Sequence, residues 1–226
     1  MASRTAILVG ATGLVGSHVL RLLIERYEAV IVLGRSSVGR VGARVIEHLV
    51  DFDALLLNTV RLDAEQLRAD DFFCCLGTTI RAAGSREAFS KVDRDYVVDL
   101  ARRTREFGTR RFFLVSALGA DPDSLVFYNR VKGETEEAVG DLPFHAVHIV
   151  RPSLLLGDRG ASRPAERAGQ WFGRLVAPLM LGPLGRYRAI EAADVAAALV
   201  GCADSDVSGI HVHYPSPSTK PRKVKP

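Results

Sequence analysis

The sequence predicts an α/β fold, a doubly wound parallel sheet with a small C-terminal elaboration. Three observations carry that prediction. Short runs that are apolar almost throughout alternate with helical patterns along most of the 226 residues. Strands buried on both faces, with helices between them, form parallel sheets. Glycines recur at a three-residue spacing between the first apolar run and the first helix. No internal repeat or linker divides the chain, and the length suits a single domain over residues 1–214.

The elements follow in order. TAILVG reads as the first strand, and LVGSHVLRLLIERY as an amphipathic helix with Leu14, Val15, Val19, Leu22 and Leu23 as its apolar positions. AVIVLG is a second strand, ARVIEHLV a third that ends at Asp51, and DFFCCLG a fourth. REAFSKVDRDYVVDLARRTREFG is one long helix closing at Gly108. RRFFLVSA is a fifth strand, followed by a helix from about Ser124 to Val139, and FHAVHIVRP a sixth strand stopped by Pro152. Residues 157–186 are rich in glycine and proline around WFGRLVAPLML, which predicts a loop-rich lid with a short helix. YRAIEAADVAAALVGCA gives a strand end and a helix, and GIHVHY a last strand.

Composition bounds the function. With 47% apolar and 25% charged residues the chain is ordinary globular protein. No apolar run reaches 18 residues, so no transmembrane helix is expected. The N-terminal MASRTAILVGATGLVGSHVL superficially imitates a secretory signal, but its regularly spaced glycines mark an internal strand and helix. Cys74, Cys75 and Cys202 cannot build a disulfide framework. Cys74 and Cys75 read as buried small hydrophobes on opposite faces of a strand. No C-x-x-C or histidine cluster stands out, so no metal is expected, and a reducing cytoplasm is the expected location. The net charge of +4 matches the four cations Lys220, Arg222, Lys223 and Lys225 of a Pro-rich tail, residues 215–226. That tail is expected to be disordered, and the neutral body makes nucleic acid an unfavoured partner.

The glycine turn carries the first functional signal. LVGATGLVGSH places Gly10, Gly13 and Gly16 between a strand and a helix. Such a turn needs φ freedom, close backbone approach to a pyrophosphate, tight helix–strand packing and free N–H groups at the helix start. Dinucleotide binding on a Rossmann-type sheet follows. About 20 residues on, binders of the unphosphorylated cofactor present an acid to the ribose. Here the second strand ends Gly34, Arg35, Ser36, Ser37, with Arg40 close by. A guanidinium and a hydroxyl suit a 2′-phosphate, so NADP(H) is expected over NAD(H).

A second signal is FYNRVKGE. The chain has five lysines against 25 arginines, and three of the five lie in the last seven residues. Lys132 nevertheless stands four residues after Tyr128, on one helix face. Ser116 ends the fifth strand 12 residues earlier, at the strand edge where ligands bind in such sheets.

GATGLVG, CCLGTT, LVSALGA, YNRVK and VRPSLLLGDR, in that order over residues 4 to about 214, resemble the short-chain dehydrogenase/reductase family. FFCCLGTTIRAAGSREAFSKVDRDYV is similar to its small atypical branch of Tat-interactive-protein-like oxidoreductases. The resemblance implies a catalytic set of Ser116, Tyr128 and Lys132. Tyr128 would be the general acid/base, since an ammonium stabilises a phenolate whose free pKa is about 10. Lys132 would also hold the nicotinamide ribose, and Ser116 the substrate oxygen. The implied cofactor contacts are Gly10, Thr12, Gly13, Leu14, Val15, Gly16, Arg35, Ser36, Asp51, Phe52, Leu76, Gly77, Thr78, Tyr128, Lys132, Pro152, Ser153 and Leu154. Substrate would lie among Leu118, Gly119, Trp171, Phe172 and Met180. Many family members carry a relay asparagine on the preceding helix, where this chain reads KVDRDY with Asp93 and Asp95.

The expected function is therefore an NADP(H)-dependent oxidoreductase acting on a small carbonyl or alcohol. The alternative is an NADPH-binding regulator that acts through a protein partner with little catalysis. An NAD-linked epimerase or dehydratase is disfavoured by the short C-terminal part and the missing acid after the second strand. Whether the chain is a monomer or a dimer is left open by the sequence.

Overall fold

A computed structural model of the chain describes residues 4–39, 42–156 and 189–216. Arg40, the predicted lid at 157–186 with Trp171, Phe172 and Met180, and the tail beyond Ser216 lie outside the described residues.

Nine strands are described: β1 (Thr5–Val9), β2 (Ala29–Gly34), β3 (Val45–Leu49), β4 (Asp71–Cys74), β5 (Arg111–Val115), β6 (Ala146–Val150), β7 (Leu155–Leu156), β8 (Ile190–Glu191) and β9 (Gly209–His213). Seven form one sheet in the order β3-β2-β1-β4-β5-β6-β9, every pairing parallel, and β7 and β8 form a small parallel pair beside it. The helices are α1 (Leu14–Arg26), α2 (Phe52–Leu56), α3 (Ala64–Leu67), α4 (Ile80–Ala83), α5 (Arg86–Ser90), α6 (Tyr96–Glu106), α7 (Phe127–Gly140) and α8 (Ala192–Gly201). The segment expected as a strand-plus-helix pattern at the N-terminus is thus β1 and α1, with β1 inside the sheet between β2 and β4.

The strands are buried on both faces, which explains their continuous apolar character. One face packs Phe72, Phe112 and Ile7 with α2 and α6. The other packs Phe73, Phe113 and Leu8 with α1 and α8. On that second face, aromatic rings run across the sheet: Phe73 stacks on Phe113 at 4.4 Å and Phe113 on His148 at 5.1 Å. Because order reverses between β1 and β4, the loops after these two strands diverge and leave a crevice between them.

Two expectations needed correction. The fourth strand ends at Cys74, and Cys75 to Gly77 leave the sheet to border the crevice. The long helix expected over 86–108 is interrupted by a π turn, Lys91–Asp95, between α5 and α6. The extra residue of a π turn rotates one side chain off the regular helical face, and here Asp93 points into the core, 1% exposed. Gly108 closes α6 as expected, at φ 97°. α7 starts at Phe127, three residues later than its sequence suggests.

Candidate active site

The glycine turn closes tightly on itself. Gly13 donates its N–H to the Gly10 carbonyl at 2.9 Å. Gly10 has φ +78°, and a Cβ there would sit 2.4 Å from the Cys75 carbonyl oxygen. A Cβ on Gly16 would lie 2.0 Å from the Gly10 oxygen. Gly13 is the residue before α1, and no side chain caps that helix. Its first N–H groups are left for an anion. The exposed edge of Gly13 meets only the Gly10 oxygen, at 3.1 Å from a notional Cβ, so the room above it is open.

That room is one cleft. Gly10, Ala11, Thr12 and Gly13 form one wall, Val32, Gly34, Arg35, Ser36 and Val38 the next, and Phe52, Cys75, Leu76 and Gly77 close it. Among the described residues no carboxylate lines it, and Arg35 is the one charged side chain that does. Arg35 and Ser36 are exposed, whereas Ser37 donates its hydroxyl to Glu47 at 2.8 Å and serves the loop itself. Glu47 also accepts the Val38 N–H, so this acid faces its own loop. Asp51 caps α2, its carboxylate accepting from the N–H groups of Asp53 and Ala54, which presents Phe52 to the cleft. Burial pushes the Cys74 thiol up to about 12 and Cys75 well above its ordinary value, so neither is a reactive thiolate at neutral pH.

Beside the cleft lies a second centre under α7. Lys132 is buried, 6% exposed, with its ammonium 2.7 Å from Asp93 Oδ1. Asp93 Oδ2 accepts the Thr78 N–H at 2.9 Å, and the Asp93 carbonyl accepts the Thr135 hydroxyl at 3.0 Å. Burial alone would lower the lysine pKa, but Asp93 and the nearby Tyr128 phenol raise it above its ordinary value. Lys132 is a fixed cation. The half-buried Tyr128 packs its ring on Phe89 at 5.5 Å, and its hydroxyl makes no hydrogen bond to a described residue. Gly133 seats this part of α7, since a Cβ there would be 2.2 Å from the Asp121 and Pro122 backbone. Gly77 joins the two centres, because it lines the cleft while its notional Cβ would be 3.4 Å from Asp93 Oδ1 and 3.8 Å from Lys132 Nζ.

The predicted residues divide accordingly. Gly10, Thr12, Gly13, Arg35, Ser36, Phe52, Leu76 and Gly77 line the cleft, and Thr78 and Lys132 meet at Asp93. Leu14, Val15 and Gly16 belong to the start of α1, with Val15 and Gly16 buried. Pro152 accepts the Leu118 N–H at 2.8 Å, and Leu154 that of Ile190 at 2.9 Å, placing Ser153 between these ties beyond β6. β5 stops at Val115, one residue before the expected end, and Ser116 follows it; its hydroxyl donates to Glu136, whose carboxylate is also held by Arg151. Asp93, Glu136 and Arg151 are the residues to which the sequence reading assigned no role. KVDRDY offered a signal for Asp93; nothing in the sequence offered one for the other two.

Sheet order, glycine turn and cleft together define a dinucleotide-binding protein of Rossmann type. The chain belongs to the NAD dependent epimerase/dehydratase family, which its residues 6–147 match. Among curated relatives, Protein HTATIP2 of Rattus norvegicus is 36% identical over 184 residues, 77% of this chain and 73% of the relative. "Protein fmp52, mitochondrial" of Aspergillus niger is 37% identical over 188 residues, 77% and 76% of the two chains. These bear out the resemblance to the Tat-interactive-protein-like branch. Among solved structures, MoeE5 in complex with UDP-glucose and NAD aligns with TM-score 0.68 at 17% identity, over 92% of this chain and 74% of that one. UDP-glucose 4-epimerase of Thermotoga maritima aligns with TM-score 0.65, also at 17% identity, over 92% and 76%. Those two likenesses concern the fold.

The expected cytoplasmic location is corrected by the relatives, since the fungal ones, from Aspergillus niger, Emericella nidulans and Debaryomyces hansenii, are named mitochondrial. Among the described residues no helix is long and apolar enough to cross a membrane.

Proposed function

We propose that the protein is an NADP(H)-dependent oxidoreductase acting on a small carbonyl or alcohol, with Tyr128 as acid/base and Lys132 as its neighbouring cation. The observation that carries this reading is the position of Gly77, shared by the dinucleotide cleft and the buried Lys132–Asp93 pair. The residues fit the cofactor: the glycine turn keeps open the space that a side chain would fill, and α1 offers uncapped N–H groups. A nicotinamide dinucleotide bound there supplies or accepts the hydride.

The chain's own groups do the rest. Arg35 and Ser36 favour a ribose 2′-phosphate over a free hydroxyl, because among the described residues no acid lines the cleft and an exposed guanidinium and hydroxyl do. Asp93 holds the Lys132 ammonium in place. Tyr128, one helical turn away on the same face, gives its proton to the carbonyl oxygen in reduction or takes it from the alcohol in oxidation. Leu118 would shape the apolar side of the substrate site.

One observation favours the second reading, an NADPH-binding regulator acting through a protein partner: the Ser116 hydroxyl is already committed to Glu136. To hold a substrate oxygen it would have to leave that acceptor. A panel of small aldehydes and ketones with NADPH, run on wild type and Tyr128→Phe, separates the two. Turnover that falls at least ~1000-fold in the variant, with NADPH affinity retained, supports the reductase. Tight NADPH binding without turnover on the whole panel replaces it with the regulator.

A further inference from the structure

Away from the cleft, the edge of the sheet carries a second cluster of chemically active side chains. His148 on β6 is 1% exposed. Its ring lies against Phe113 on β5, and against His211 and His213 on β9 at 5.2 and 5.4 Å between centroids. His148 Nδ1 is 3.2 Å from His213 Nε2. His148 Nε2 is buried and has no hydrogen-bond partner among the described residues. Cys202, just past α8, completes the group, so that one ligand atom each from His148, His213 and Cys202 lies within 4.8 Å of the others.

The geometry suits a metal ion. His148 Nδ1 and His213 Nε2 face each other and share one proton, a position that an ion can take instead. Zinc binds imidazole nitrogen at about 2.0–2.1 Å, which sets two tetrahedral nitrogens about 3.3 Å apart. The 3.2 Å found here is close to that separation. The Cys202 thiol bonds the Ala198 carbonyl at 3.1 Å, but that oxygen also accepts the Cys202 backbone N–H. The sulfur can therefore turn to an ion without stranding an acceptor. With no carboxylate in the group, calcium and magnesium are poor candidates.

We propose that His148, His213 and Cys202 bind one late first-row ion of the zinc class, which fastens the edge strand β9 to β6 and to the end of α8. Binding releases the Cys202 thiol proton to solvent, and the thiolate takes one position beside the two imidazoles. Water completes the tetrahedron. None of the three residues lines the dinucleotide cleft, so this site stands or falls independently of the proposed reaction.

The test uses the full chain, stripped with a chelator and titrated with Zn²⁺ and, separately, Co²⁺. One equivalent of Zn²⁺ is expected, with a rise in Tm of roughly 5–10 °C at a hundredfold excess over Kd. Co²⁺ should give a near-ultraviolet thiolate charge-transfer band, a reading that needs no variant. Cys202→Ser and His213→Gln should each weaken binding on the order of 100-fold, whereas the control His145→Gln and the NADPH affinity of all three should not change. Substoichiometric binding without the thiolate band, or unchanged binding in Cys202→Ser and His213→Gln, would overturn the proposal.

Discussion

The cleft between β1 and β4 and the corner beneath α7 are built by opposite means. In the cleft, glycines remove side chains so that backbone can approach a ligand, and the surface stays open. In the corner, charged side chains are packed out of water and hold one another: Lys132 with Asp93, and Glu136 with Arg151. The first arrangement tolerates no added volume at its hinge points. The second tolerates no unmatched charge. Substitutions that exploit this contrast should separate damage to the fold from damage to binding.

The largest effect is expected for Gly16→Val. Its Cβ would lie 2.0 Å from the Gly10 oxygen, a backbone atom that cannot move without breaking the turn. Losses above ~4 kcal/mol come from such overpacking and strain, so the variant should be insoluble or melt at least ~8 °C lower. Thermal denaturation measures this, and a wild-type melting curve would show that the turn is looser than its geometry implies.

Breaking the corner should cost nearly as much. Asp93→Asn leaves a buried ammonium without its counter-charge, for which about 3–5 kcal/mol is typical. Replacing both partners, as in Asp93→Leu with Lys132→Met, should recover part of that stability while removing activity, since no charge is left unpaired and only the Thr78 N–H loses its acceptor. Chemical denaturation of the three proteins decides it. Equal losses in single and double variants would mean that packing, not charge, governs the corner.

This contrast also explains what could be read from the sequence. The glycine turn obeys fixed spacing because its geometry is local, so Gly10, Gly13 and Gly16 announce themselves within seven residues. The alternation of apolar strands and helices gave the parallel sheet for the same reason. Lys132 was marked by the rarity of lysine, but its partner sits 39 positions away in a π turn that no periodicity marks. Glu136 and Arg151 meet Ser116 only because α7 packs over the ends of β5 and β6. The sulfur and imidazoles of the edge cluster come from positions 148, 202 and 213, and only the parallel pairing of β6 with β9 brings those histidines together.

Back in the cleft, Gly13→Val should be the mirror image of Gly16→Val. Its Cβ would meet only the Gly10 oxygen, at 3.1 Å, which need shift by a few tenths of an ångström, so the loss in Tm should be well below that of Gly16→Val. The two methyls would project into the space reserved for a pyrophosphate, and dinucleotide affinity should fall about 100-fold or more, which is ~2.7 kcal/mol. Calorimetric titration with NADPH checks it, and retained affinity would remove the pyrophosphate from the glycine turn.

The smallest expected effect tests the cofactor choice alone. Arg35 is exposed at the mouth of the cleft, where the proposed pairing with a phosphate would be partly screened by solvent and salt. Arg35→Ser should therefore weaken NADPH only about tenfold, near 1.4 kcal/mol, and leave NADH nearly unchanged. The loss should shrink as ionic strength rises, because screening erodes in the wild type what the substitution removes. A loss shared equally by both cofactors would place Arg35 on the pyrophosphate or adenine instead. NADH bound more tightly than NADPH by the unaltered chain would end the 2′-phosphate assignment altogether. It would leave the backbone cleft and the Tyr128–Lys132 corner standing, because neither depends on that group.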